Sequence, residues 1–157
     1  MTTPTTTANT TTAITTTPVT TTPVTMESVQ DVVQQYLGAL GSRNLDGLLA
    51  LVAPAVEWDL PGNQNLAPWL GKRSDRAGVR VSFELLWAAI EPISMTLQHM
   101  FFADQHCVIT GELASRMRAT GKVYESMFTA HITLRDGLIV KYTVQEDSWA
   151  LVVALTP

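Results

Sequence analysis

Two carboxylates interrupt stretches that otherwise have the composition of buried strands. Glu146 ends DGLIVKYTVQE, and Glu112 lies within CVITGELAS. An ionised carboxylate in an apolar site costs several kcal/mol, so the group takes up a proton and its pKa rises. Such a pair can divide into a general acid and a general base near neutral pH. A solvated Glu112 on an outer face, paired with Arg116 or Lys122, is the alternative reading.

The three histidines are the other titratable candidates. His99 stands among apolar residues in ISMTLQHMFF, where it is either a cavity acid or base or a hydrogen-bonded core residue. His106 falls in a turn, and His131 faces a dimer interface or a pocket. Cys107 and His106 are strand neighbours whose side chains point apart, and the set lacks metal-ligand spacing. The sequence therefore predicts no metal site.

The last strand decides where Glu146 points. Alternate residues of LIVKYTVQE share one face of a strand. The members of one face are Leu138, Val140, Tyr142, Val144 and Glu146. If Leu138 and Val140 face the core, Glu146 faces it as well, while Asp147 turns away and caps a final helix over SWALVVAL.

The positioning elements begin with helices. In ESVQDVVQQYLGALGSRN apolar residues recur every three or four positions, which predicts a helix ending at Gly41. NLDGLLALVAP predicts a second helix with Asn44 as its N-cap. VEWDL, residues 56–60, is typical of a short strand. A polar loop follows it, and then a third helix over Asp75 to Ile90.

Beyond Pro92 the apolar period changes from helical to two. Four strands are expected, separated by the turns ADQH, ATG and RDG: Ile93 to Phe102, Cys107 to Arg118, Lys122 to Leu134, and Leu138 to Glu146. Short turns join antiparallel neighbours, so the strands form a meander. Helices followed by such a meander indicate an α+β fold, with helices packed on one face of a curved, mainly antiparallel sheet. We expect a cone that encloses an apolar pocket.

Composition narrows the function. The first 25 residues contain fifteen Thr and three Pro and no charged residue, which predicts a disordered tail at 1–25 and one domain at 26–157. A net charge of −4 argues against nucleic acid as a partner. No segment reaches the roughly 18 apolar residues of a membrane span, and none has the pattern of a secretory signal. With a single cysteine, we expect a cytoplasmic protein.

The order of these elements resembles the SnoaL-like branch of the nuclear transport factor 2-like superfamily over about residues 26–155. The segments that carry the resemblance are VEWDLPG, GKRSDRAGVRVSFELL, TGKVYES and DGLIVKYTVQEDSWALVVAL. That superfamily includes polyketide cyclases, ketosteroid isomerases, epoxide hydrolases, dehydratases and non-catalytic binding domains. Its fold alone does not choose the chemistry.

The resemblance implies a hydrophobic pocket between sheet and helices, no metal, no cofactor and often a homodimer through the open face of the sheet. It adds Asp59 as a polar candidate on the pocket wall. Tyr36 and Trp58 could donate to a developing oxyanion or simply line the pocket. The residues expected to contact substrate are Tyr36, Trp58, Phe83, Trp87, Phe102 and Tyr142.

We therefore expect a cofactor-independent cyclase or isomerase that acts on a hydrophobic polyketide or terpenoid-type substrate. Glu146 would transfer protons together with Glu112 or His99, and epoxide opening or an aldol closure would form the ring. Asp59 is the remaining catalytic candidate. A non-catalytic ligand-binding or dimerisation module is the competing hypothesis.

Overall fold

The computed structural model describes residues 26–157, with side chains from Val29 onward. The predicted disordered tail lies outside the described residues. The elements are α1 (Met26–Gly41), α2 (Leu45–Ala50), β1 (Val52–Leu60), β2 (Gly71–Asp75), α3 (Arg76–Ala89), β3 (Ile90–Ala103), β4 (His106–Met117), β5 (Val123–Arg135), β6 (Leu138–Glu146) and α4 (Ser148–Leu155). Within this part of the chain, no helix is long and apolar enough to cross a bilayer.

All six strands belong to one curved, open sheet in the order β2-β1-β6-β5-β4-β3. The predicted meander is confirmed, since β3 to β6 pair antiparallel in sequence order. β1 pairs with β6 in parallel, and this is the one parallel pairing in the described sheet. The α+β prediction with a mainly antiparallel sheet is therefore correct.

One strand was not expected from the sequence. β2 lies in the segment read as a polar loop, and it pairs antiparallel with β1 from Leu60 opposite Gly71 to Ala55 opposite Asp75. GKRSD has no apolar alternation, because it is an edge strand whose side chains are mostly half-buried or exposed. Its pairing is set by the neighbouring strand and the turn rather than by its own pattern.

The helices cover the inner face of the sheet through apolar stripes. α1 buries Val29, Val33 and Tyr36, which lie one or two turns apart. The Asn44 prediction is confirmed, because its Oδ1 accepts a hydrogen bond from the Gly47 amide at 3.0 Å and starts α2. Asp75 caps α3 instead of lying within it, and accepts from the Gly78 amide at 2.7 Å.

The last helix, α4, follows β6 directly. Asp147 is its N-cap, as the sequence predicts, with Oδ1 accepting from the Ala150 amide at 2.9 Å. Leu151 and Ala154 are buried in a small apolar cluster with Met117 and Tyr124. This packing places the first turn of α4 directly beside the end of β6.

Candidate active site

A cavity of about 510 Å³ lies between the inner face of the sheet and helices α1 and α3. Pockets that enclose small organic ligands have volumes of about 300–1,000 Å³. Its walls are mainly aromatic and aliphatic, with further contributions from the loop after β1 and from the start of α4. Five of the six residues predicted to contact substrate border it: Tyr36, Trp58, Phe83, Trp87 and Tyr142. The chain thus encloses an apolar chamber of ligand size.

Phe102 is the exception among those six. It faces the interior from β3, opposite the buried Cys107, and packs against the main core. The side chains that border the cavity on β3 lie nearer the start of the strand. The expected contact between Phe102 and a substrate is therefore not supported by its position.

Aromatic rings form one continuous wall. The indole of Trp58 stacks on Tyr142 with ring centroids 4.0 Å apart and meets the edge of Phe83 at 5.7 Å. Tyr36 extends this row beyond Tyr142, and Trp87 extends it beyond Phe83, with centroids 5.5 and 5.3 Å apart. Stacked and tilted contacts of this kind stabilise aromatic clusters, and four of them join these five rings into one wall.

Two polar atoms in that wall have no protein partner. The Tyr36 hydroxyl and the Trp58 Nε1 are buried and make no hydrogen bond to any described residue; the Tyr142 hydroxyl lies beside Tyr36 without a well-aligned bond. Burial raises the pKa of Tyr36 well above its usual value and that of Tyr142 to about 12, so both stay protonated. An unpaired buried donor costs about 1–3 kcal/mol.

Glu146 borders the same cavity, although the sequence analysis placed it there on the wrong premise that Leu138 and Val140 face the core. The pairing of β5 with β6 shifts register between Thr133 and Leu134, which leaves Val140 as an extra residue on β6. This bulge reverses the alternation: Ile139 is buried before it, and Tyr142, Val144 and Glu146 face inward after it. The inward direction of Glu146 is thus as expected, for a different reason.

The carboxyl of Glu146 is held at the cavity wall. The Glu146 side chain is exposed and borders the cavity, while neighbouring protein atoms partly desolvate its carboxyl. Burial raises its pKa, and the hydrogen bond that Oε2 accepts from the Tyr124 hydroxyl at 3.0 Å partly opposes that rise. No other carboxylate borders the cavity among the side chains of residues 29–157. Glu146 is therefore the single carboxyl of the described site.

Tyr124 is the functional candidate that the sequence analysis missed. Burial, and then the charge of Glu146, raises its pKa, so its hydroxyl remains a donor. Ser126, two residues later, accepts from the Asp147 amide at 2.8 Å and fixes the junction between β6 and α4. The signal was the alternation of Tyr124, Ser126 and Phe128 in TGKVYESMF, which places all three on the inner face of β5.

Glu112 lies outside the cavity. It pairs with Met127 of β5 and Thr96 of β3 on the outer face of the sheet, and its Oε1 accepts from the Gln98 amide nitrogen at 2.9 Å. The outer-face alternative is correct, although the partner is Gln98 rather than Arg116 or Lys122. The proton-transfer hypothesis for Glu112 has no geometric support.

His99 and Asp59 also point away from the cavity. A register shift between Leu97 and His99 inserts an extra residue into β3, which turns His99 to the outer face. There its Nδ1 lies 3.3 Å from the Thr110 hydroxyl. Asp59 follows the inward-facing Trp58 on β1, so the two-residue period directs it to the opposite face.

The other two histidines are exposed on β4 and β5. His106 Nδ1 lies 3.1 Å from the Thr133 hydroxyl, and His131 pairs with Val108 on the outer face. Among the side chains from Val29 onward, no group of three His, Cys, Asp or Glu could hold a metal ion.

Comparison with known proteins identifies relatives of this fold. The family model of the SnoaL-like domain matches residues 33–142. No curated protein sequence matches the chain.

Three solved structures share the fold at low identity. An NTF2-like protein from Burkholderia xenovorans LB400 is 20% identical with a TM-score of 0.74, and the match covers 85% of this chain and 99% of that one. A proposed isomerase from Rhodopseudomonas palustris is 14% identical with a TM-score of 0.69, covering 80% and 93%. A proposed polyketide cyclase from Xanthomonas campestris is 18% identical with a TM-score of 0.68, covering 83% and 98%. At identities this low, the structural matches show a shared fold alone.

Proposed function

This chain belongs to the SnoaL-like domain family, and from that premise we propose that it is a cofactor-independent cyclase or isomerase. Its substrate is a hydrophobic molecule of polyketide or terpenoid type that fills the aromatic cavity. The observation that carries the proposal is Glu146, a lone carboxyl of raised pKa at the wall of an apolar chamber. The reaction class agrees with the names proposed for two of the structural neighbours.

The polar groups of the cavity support enol chemistry. Glu146 as carboxylate removes a proton from the carbon beside a substrate carbonyl. The Tyr36 hydroxyl and the Trp58 Nε1 are buried donors without a hydrogen bond, and a small movement of the wall that turns either one into the cavity would let it donate to the oxygen that becomes negative. The aromatic wall holds the reacting atoms of the substrate together.

The fate of the enolate decides the product. Return of the proton from Glu146 to a different carbon moves a double bond, which is an isomerisation. Attack of the enolate carbon on a second carbonyl of the same molecule forms a carbon–carbon bond and closes a ring, and Glu146 then protonates the new alkoxide. With an epoxide substrate, the protonated Glu146 gives its proton to the epoxide oxygen while an internal hydroxyl attacks the carbon and loses its own proton to solvent.

A proton-exchange assay tests this function without knowledge of the natural substrate. The bicyclic ketone 2-tetralone is incubated with the protein in D₂O, and loss of the signal of its acidic protons is followed by NMR. Glu146→Gln should reduce the protein-dependent exchange rate by about 10²- to 10⁴-fold, the usual contribution of a general base. Ketone affinity, measured by tryptophan quenching, should stay within about threefold, because uniform binding does not depend on the base.

Glu112→Gln is the matched control. It makes the same change on the outer face of the sheet and should leave the exchange rate unaltered. Equal exchange by the wild type and Glu146→Gln would contradict the role of Glu146. Wild-type protein that binds the ketone without accelerating exchange would instead identify a binding module.

A further inference from the structure

The cavity has one basic side chain at its border. Arg43, between α1 and α2, is the one Lys or Arg among the lining residues in the described part of the chain. Its guanidinium carbon lies 5.8 Å from the ring centroid of Trp87, which itself lines the cavity. The arginine is exposed, and among the side chains of residues 29–157 no carboxylate lies within ion-pairing distance of it.

Local backbone structure does not explain an arginine at this position. The Arg43 amide bonds to the Leu40 carbonyl at 3.2 Å and the Asn44 amide to the Ala39 carbonyl at 2.9 Å, the pair of bonds that ends a helix in a Schellman motif. In that motif the residue at the Arg43 position adopts a left-handed conformation, here with φ of 54°. Glycine or asparagine is favoured there, and a long side chain is disfavoured.

The guanidinium of Arg43 lies within the range of a cation–π contact with the Trp87 ring. The N–H groups of a guanidinium can bind a planar oxyanion in pairs. The chain carries a net charge of −4, and the acid–base group of the cavity is itself a carboxyl. An anionic ligand would be repelled by both without a local cation.

We propose that the substrate carries a negatively charged oxygen group, a carboxylate or a comparable oxyanion, which Arg43 binds at the mouth of the cavity. This inference rests on the proposed function and deepens it. The apolar body of the substrate lies along the aromatic wall, with its reacting carbon toward Glu146. Arg43 is then a specificity-determining residue that orients the molecule in the cavity and selects acids over their neutral esters.

Two fluorescent probes that differ by one charged group test the proposal. Anilinonaphthalene sulfonate is phenylnaphthylamine with an added sulfonate, and both fluoresce when they enter an apolar site. Their dissociation constants are measured for the wild type and for Arg43→Asn, since asparagine suits the left-handed backbone. Arg135→Gln is the control, because it removes the same charge from the exposed end of β5.

We expect Arg43→Asn to weaken binding of the sulfonate by about tenfold or more and that of the amine by less than about twofold. The sulfonate effect should diminish at high salt. Arg135→Gln should change neither constant. Thermal unfolding at an unchanged temperature would show that the variant is folded.

Other results distinguish failure of the Arg43 anion site from failure of the proposed function. Equal, small effects of Arg43→Asn on both probes would overturn the anion site while leaving the apolar cavity and its acid–base role standing. If neither probe bound the wild type, both the anion site and the proposed function would be refuted, because each requires an accessible apolar chamber.

Discussion

Replacing Tyr124 by phenylalanine removes the hydrogen bond that the Glu146 carboxyl accepts, and should raise the pKa of Glu146 further. The bond is 3.0 Å long and lies beside the cavity, where burial already raises that pKa. Its donor stabilises the ionised carboxyl more than the neutral one. Without it, Glu146 would hold its proton to higher pH.

The size of the effect follows from the energy of one such bond. A hydrogen bond to a charged group contributes about 1.5–3 kcal/mol, and one pKa unit corresponds to about 1.4 kcal/mol. Full loss would therefore raise the pKa by about one to two units. Water that enters the cavity would replace part of the bond, so we expect a rise of about one unit.

Carbon-13 NMR of protein labelled at the glutamate carboxyl carbons measures this pKa directly. Tyr36→Phe is the control, since it removes a hydroxyl from the same cavity that makes no bond to Glu146. It should change the Glu146 pKa by less than about 0.3 unit. An unchanged or lowered pKa in Tyr124→Phe would refute the role assigned to this hydrogen bond.

Two further predictions concern stability. A Cβ at Gly111 would overlap the Thr96 carbonyl oxygen and lie 2.8 Å from the Phe128 ring, so Gly111→Ala should lower the free energy of unfolding, measured in urea, by about 2 kcal/mol or more. Gly38 has open space around it, so Gly38→Ala should raise the same free energy by about 0.5–1 kcal/mol. Equal stability of the two variants would contradict this packing. Folding raises the pKa of Glu146. The stability that this residue contributes to the folded protein is therefore fully present below its ordinary pKa of about 4.3 and is lost as the pH rises through its pKa in the folded state. The unfolding free energy of Glu146→Gln relative to wild type should therefore increase between about pH 3.5 and pH 8, and a constant difference would exclude a raised pKa.

Much of the fold follows from local signals. The stripe of α1, the caps Asn44 and Asp147, and the turns between strands are each specified by a few adjacent residues, and all of them agree with the structure. β2 could not be found in this way, because an edge strand of five mostly polar residues has no pattern of its own. Its position depends on pairing with β1, and this non-local contact is not visible in the residues of β2 themselves.

The candidate site was harder to predict for a specific physical reason. A strand has a side-chain period of two, so one extra residue reverses every later assignment on that strand. The bulge on β6 does this before Glu146, and the shift on β3 does it before His99. The paired residues at the β6 bulge include no glycine, whereas the β3 shift begins at Leu97, opposite Gly111 of β4. A glycine inside a strand is a signal for a bulge or a close backbone contact, but here it lies on the partner strand. The sequence identified both residues as candidates, and the irregularities on β6 and β3 decided that Glu146 reaches the cavity and His99 does not.

The geometry of the sheet explains why the cavity can be so apolar and still hold one acid. The shift on β3 sends His99 to solvent, and the regular alternation of β4 does the same for Glu112. Each would otherwise have stood as a second charged or polar group near the carboxyl of Glu146, where an opposite charge would lower its pKa and a like charge would raise it further. By keeping them outside, the sheet leaves burial and one tyrosine to set the pKa of Glu146. A single neighbour that can be changed by mutation is a simpler way to tune an acid than a coupled pair, whose titration belongs to both groups.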